Sequence, residues 1–218
     1  NTTLSNVGGV ALNGGTGSGA FTQIGNGGVG GQGAVTGNVS ITGTGNVSLV
    51  GGAGGNAFAH LGAGGLNHIG AITSTTSVIT TGGNLTMTGG AGAGAFAQLG
   101  AGGLNADGVI SGGVTATVDG AIQLTGGSQG DTYVQIGAGG SGSDGVKSGN
   151  VTVSGASATL TGGSGAGASV LVGNGGGIAQ GTTDNASGSI SGNTSLTTTA
   201  GAVTMNASAA AADNFVQI

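Results

Sequence analysis

Apolar and polar residues alternate along most of this chain in short runs, and glycine pairs punctuate them. One such run, "GAVTGNVSIT" (33–42), returns as "GVISGGVTAT" (108–117), "GVKSGNVTVS" (145–154) and "GSISGNTSLT" (188–197). A second, "GNVSLVGG" (45–52), returns as "GNLTMTGG" (83–90) and "GAIQLTGG" (120–127). Period-two alternation rich in β-branched residues and bounded by Gly, Asn or Ser predicts short strands between turns. No segment carries a helical period of useful length.

A third run sets the frame. "GGTGSGAFTQIGNGG" (14–28), "GGAGGNAFAHLGAGG" (51–65), "GGAGAGAFAQLGAGG" (89–103), "GGSQGDTYVQIGAGG" (126–140) and "GGSGAGASVLVGNGG" (162–176) align without gaps. Phe21, Phe58, Phe96, Tyr133 and Ser169 share one position, with spacings of 37, 38, 37 and 36. Phe215 follows Ser169 by 46, so an insertion of roughly nine residues falls between 177 and 201. The repeats run 14–50, 51–88, 89–125, 126–161 and 162–205, with partial copies at 1–13 and 206–218, in one continuous array.

Strict repetition at this length signals a stacked architecture. Short strands joined by glycine turns predict an all-β, parallel β-solenoid of about six repeats, stabilised chiefly by contacts between neighbouring rungs. Such rungs lie about 4.8 Å apart. Each repeat forms either one wide coil or two coils of half the length. The chain begins within the strand at 8–15 and stops after an aromatic strand, which suggests a slice of a longer array or a subunit that docks end to end.

Parity assigns faces. Val47/Leu49, Leu85/Met87 and Ile122/Leu124 point to the core, as do Ala57/Ala59/Leu61, Thr132/Val134/Ile136 and Ala168/Val170/Val172. Val170 and Val172, in the copy without an aromatic, hold the inner parity, which places the rings on the outer face. On that reading Phe21, Phe58, Phe96, Tyr133 and Phe215 form an exposed row, with Gln23, His60, Gln98, Gln135 and Gln217 beside it. Stacked amides can hydrogen-bond along the axis. The row either stiffens the rod or serves as a lateral or ligand contact, since exposed apolar rows usually meet a partner.

Composition narrows the chemistry. Of 218 residues 58 are glycine, none is proline or cysteine, and the charged groups are six Asp and Lys147. Such a chain has no basic patch for nucleic acid and no apolar run long enough for a membrane helix. The missing cysteine fits an exported protein. Calcium-binding nonapeptides of the repeat-in-toxin type place Asp where these lines read Gly19, Asn56, Gly94, Asp131 and Gly167. One carboxylate in five rungs does not make an oxygen cage, so no calcium site is expected. Phosphate loops need a helix behind them and none is predicted.

His60 and His68 have no cysteine or acidic cluster nearby, and His60 replaces a glutamine, so no metal or other cofactor is expected. The aspartates scatter over different repeat positions, and no acid–base pair emerges. Lys147 falls where Val35, Ile72 and Ile110 stand, its stem covered and its amine reaching solvent beside Asp144. Asn-x-Ser/Thr triplets occur at Asn1, Asn38, Asn46, Asn84, Asn150, Asn185, Asn193 and Asn206. They are candidate glycosylation sites, chiefly Asn38, Asn46, Asn84, Asn150 and Asn193, although a turn Asn before a strand writes the same triplet.

The repeated "AFAQLGAGG" and "YVQIGAGG", interleaved with "GNVSITGTGNVSLVGG", resemble the rod regions of filamentous-haemagglutinin-like bacterial adhesins. The resemblance spans essentially the whole chain. It implies a β-helical rod, export to the cell surface, and roles in adhesion, aggregation or biofilm. The expected function is therefore a non-enzymatic rod segment whose partners are neighbouring repeats, further copies or glycans. A self-assembling filament subunit and a glycan-binding module using the aromatic row are the alternatives. Threonines are too irregular in the sequence for an ice-binding face.

Overall fold

A computed structural model describes residues 1–176, 188–209 and 212–218. Their regular structure consists of strands, stacked in coils of about 37 residues for about five turns of a β-solenoid. Each repeat is thus one wide coil.

Three six-stranded parallel sheets run along the axis. The first contains Thr2–Val7, Val39–Gly43, Thr76–Thr80, Val114–Val118, Val151–Gly155 and Thr194–Thr198. The second contains Val10–Asn13, Val47–Val50, Leu85–Thr88, Ala121–Thr125, Ser157–Thr161 and Val203–Asn206. Aromatic strands make the third: Phe21–Ile24, Phe58–Leu61, Phe96–Leu99, Tyr133–Ile136, Ser169–Val172 and Val216–Gln217. A short ladder of two-residue strands (Val35–Thr36, Ile72–Thr73, Ile110–Ser111, Lys147–Ser148, Ile190–Ser191) precedes the first sheet in each coil.

Register follows the repeat. Phe58 pairs with Phe96 and Phe96 with Tyr133, while Leu85 pairs with Val47 and Ile122. Inward residues of the three sheets, such as Ile41, Leu49, Leu61, Met87, Leu124 and Ile136, are fully buried in one core. Burying side chains of this size contributes about 1.5–3 kcal/mol each. The period-two alternation was therefore a true record of the core faces.

Two expectations change at the ends of the array. Residues Thr2–Val7 already form a first-sheet strand, paired with Val39–Gly43 across a register shift, so the chain does not begin within the second-sheet strand. The insertion expected between 177 and 201 falls partly on 177–187, outside the described residues. Register divides the excess among three places. Gly175 to Ile190 spans fifteen residues where Gly139 to Lys147 spans eight. Two more enter between Thr198 and Val203, and one between Asn206 and Val216.

The turns explain the Gly/Asn/Asp interchange that looked like a degenerate calcium motif. Gly19, Asn56, Gly94, Asp131, Gly167 and Asp213 all hold φ between 56° and 71°. That left-handed position favours glycine and accepts Asn or Asp. Asp131 thus stands in a column otherwise kept for turn geometry. Exposed corner asparagines have a structural use as well. Asn38, Asn46, Asn84 and Asn150 each accept, through Oδ1, a backbone N–H of the following coil at 2.8–3.0 Å. Asn193 is exposed at the same corner as Asn150.

Candidate functional site

After each aromatic strand the chain enters a glycine loop, "GNGG" or "GAGG", at 25–28, 62–65, 100–103 and 137–140. Its backbone lies so close to the next coil that a side chain has no room. At Gly102, where φ is +119°, an added Cβ would overlap the carbonyl of Gly139. This loop folds back over the outer face of the third sheet. The aromatic strands Phe58–Leu61, Phe96–Leu99, Tyr133–Ile136 and Ser169–Val172 are buried on both faces.

The expectation of an exposed row is therefore corrected. Parity places the rings away from the main core, yet Phe58 and Phe96 are fully buried and Tyr133 is 3% exposed. They pack with Leu66 and Leu104 in a second lobe of the coil. Only Phe21, in the first coil, is substantially exposed, and Phe215 in the last is half-buried. Rings of Phe21, Phe58, Phe96 and Tyr133 stack at 4.7–4.8 Å with interplanar angles of 4–7°. Parity separates the two faces correctly, but both are buried, because the strand stands between the main core and the lobe that holds the rings and amides.

Amides run beside the rings, but they do not bond to one another as expected. Gln98 Nε2 donates to the carbonyls of Ala101 (3.1 Å) and Gly139 (3.0 Å). Gln135 Nε2 donates likewise to Gly173 and Gly175, and Gln23 to Gly62 and Gly64. Tyr133 completes the network by donating its hydroxyl to Gln98 Oε1 at 3.1 Å. The carbonyls of Ala101, Gly139 and Gly175 already accept backbone N–H groups of the neighbouring coil, and each amide adds a second bond to an oxygen with two lone pairs. Each glutamine thus staples its own loop to the next coil. Burial pushes the Tyr133 hydroxyl above its ordinary pKa. Gln217, in the last coil, is exposed, and Leu171 breaks the amide series one coil earlier.

His60 takes the glutamine position, with Nε2 2.7 Å from the Gly100 carbonyl and Nδ1 3.4 Å from Gln23 Nε2. Gln23 Nε2 can only donate, so Nδ1 accepts, Nε2 carries the proton, and the ring is neutral. Desolvation lowers its pKa from 6.5 to about 4, against the raising effect of Gly100. A base with a depressed folded pKa stabilises fully above 6.5 and loses that contribution as pH falls to 4. The loss amounts to about 3 kcal/mol. We expect His60→Gln, which restores the residue of the neighbouring coils, to flatten the urea midpoint between pH 7 and pH 4. An unchanged slope would assign the acid sensitivity elsewhere. His68 contacts Gly33 of the preceding coil, whereas His60 bridges both of its neighbours.

Lys147 also departs from expectation. Its side chain is buried in the column of Ile72, Ile110 and Ile190, and Nζ donates inward to the Ser143 carbonyl rather than reaching solvent. Burial lowers its pKa, while Asp144 and then Asp107 oppose the shift. A base with a depressed folded pKa costs stability below its ordinary value. Lys147→Ile, matching the column above and below, should raise stability by about 1 kcal/mol in urea denaturation. Destabilisation would mean that its polar contacts outweigh the burial cost.

A cavity of about 200 Å³ near the C-terminal end is lined by Leu171, Val172, Asn174, Ile190, Thr194 and Gln217, with no titratable side chain in its lining. No protein-family model, curated protein or solved structure matches the chain.

Proposed function

We propose that the chain is a non-enzymatic structural rod segment of an extracellular bacterial adhesin or surface fibre. Its part in adhesion, aggregation or biofilm is mechanical: it spans distance and carries load. One observation carries this reading. Rings and aliphatic side chains stack on their counterparts from coil to coil and fill the interior, so the contacts of the chain run along one axis. Such a rod resists bending because each coil is tied to the next by backbone ladders and by the amide staples. The resemblance of its repeats to adhesin rods supports export and a cell-surface setting.

Glycan recognition by ring stacking loses its basis, since the faces of Phe58, Phe96 and Tyr133 are covered. Displaying the 218 residues on a non-adherent bacterium tests the proposal. Settling and surface attachment should rise above those of cells displaying a globular control of equal mass. Equal values for both would overturn it.

A further inference from the structure

The chain has two histidines, and both reach across one interface, between the coil of Phe21–Ile24 and the coil of Phe58–Leu61. His60 Nδ1 meets Gln23 Nε2 there, and His68 Nε2 lies 3.0 Å from the Gly33 carbonyl. The two bonds of His60 respond differently to a proton. Toward the following coil, Nε2–H donates to the Gly100 carbonyl, and an imidazolium keeps that donor. Toward the preceding coil, Nδ1 accepts from Gln23 Nε2. An added proton turns that acceptor into a donor, so two donors then face each other across the interface.

Gln23 cannot adapt without loss. Turning its amide over would present Oε1 to the new N–H, but Nε2 also donates to the carbonyls of Gly62 (3.1 Å) and Gly64 (3.2 Å). Among the described residues no backbone N–H reaches the buried Gly62 oxygen, so the turned amide would leave it without a donor. No counter-charge is at hand either. The imidazole is surrounded by Phe58, by the strands Phe21–Ile24 and Phe96–Leu99, and by the glycine loops 25–28, 62–65 and 100–103, none of which ionises. His68 stands beyond Leu66, bonded to Gly33, and Tyr133, farther along the lobe, stays neutral through the acidic range.

We propose that the interface between these two coils is an acid-opened joint: protonation of His60 releases the preceding coil and leaves the following one attached. Parting the coils brings the imidazolium to water and uncovers the face of Phe58 on which Phe21 stacks. The closed ring, held near pKa 4 by desolvation, takes up a proton less readily than the opened ring at its ordinary 6.5. Opening therefore binds a proton below pH 6.5, and the open fraction rises as pH falls, levelling off below about pH 4. From pH 7 to pH 5 those two values imply an increase of about twentyfold. This device goes beyond the rod reading and does not depend on it.

Amide hydrogen exchange of the 218-residue protein, resolved by NMR and corrected for the pH dependence of the chemical step, reads the two sides of His60 separately. The N–H groups of Gly62 and Gly64 bond back to Ile24 and Asn26, whereas those of Gly100 and Gly102 bond back to Leu61 and Ala63. Between pH 7 and pH 5, Gly62 and Gly64 should lose about twentyfold in protection and Gly100 and Gly102 less than about twofold. His60→Gln, which supplies the amide of the neighbouring coils, should hold the loss at Gly62 and Gly64 below about twofold as well. His68→Gln should leave the native response intact. Three results would overturn the proposal: no loss in the native chain, an equal loss at both pairs of glycines, or a loss that survives His60→Gln or vanishes in His68→Gln.

Discussion

Gly102→Ala abolishes the cooperative stacking of the coils around it, at a cost of more than about 4 kcal/mol and roughly 10 °C or more in melting temperature. Two effects combine. The backbone there holds φ at +119°, which L side chains rarely adopt, and the new Cβ overlaps the Gly139 carbonyl in the next coil. Neither partner can move alone, because both sit in ladders that continue through Gly64 and Gly175. Gly19→Asn is the matched control. Its φ of 67° lies in the region that Asn56 already occupies, and open space surrounds the added carbon. It should cost less than about 1 kcal/mol. Thermal melts followed by circular dichroism, read alongside limited proteolysis, compare the two variants.

Opening the aromatic lobe should cost nearly as much. Phe96→Ser removes a fully buried ring stacked on both sides, a loss of about 3–5 kcal/mol. Gln98→Leu isolates the polar part of the same lobe. Leucine fits, since Leu171 stands at that position two coils later. The substitution removes one of two donors from the Gly139 and Ala101 carbonyls, which keep the backbone N–H groups of Gly103 and Gly139, and it leaves the Tyr133 hydroxyl without its acceptor. We expect a loss of about 1–3 kcal/mol, chiefly from the orphaned Tyr133 hydroxyl, of which adding Tyr133→Phe should recover most. Urea denaturation of the single and double variants measures it. Were Phe96→Ser to fold with native stability, the rings would have to be solvated, contrary to their burial here.

Much of this architecture was legible because a solenoid stores its contacts in its period. The alignment of Phe58, Phe96 and Tyr133 in sequence is their alignment in space, and Leu85 or Ile122 betrays its inward face by parity. The aromatic lobe resisted reading for a physical reason. Parity distinguishes two sides of a strand but not whether the second side meets water or a returning loop. A clue lay in the loops themselves: three glycines in four residues imply backbone packed against something. Lys147 misled in the same way, because its neighbours in the column, Ile72 and Ile110, were visible as apolar while the separate cluster that encloses them with Ala63, Ala101, Ala106 and Ala138 was not. Coil size was ambiguous because glycine pairs mark turns without saying whether a turn closes a coil or folds a lobe.

The central claim is that equivalent residues of successive repeats stand one β-spacing apart on a single axis. Spin labels on Ser40→Cys and Ser195→Cys test it, because these positions occupy one first-sheet column four coil steps apart. The account predicts a narrow distance distribution centred near 19 Å, four spacings of about 4.8 Å, after allowance for the label arms. A distribution centred near 38 Å, as two coils per repeat would give, or one too broad to define a separation, would contradict it.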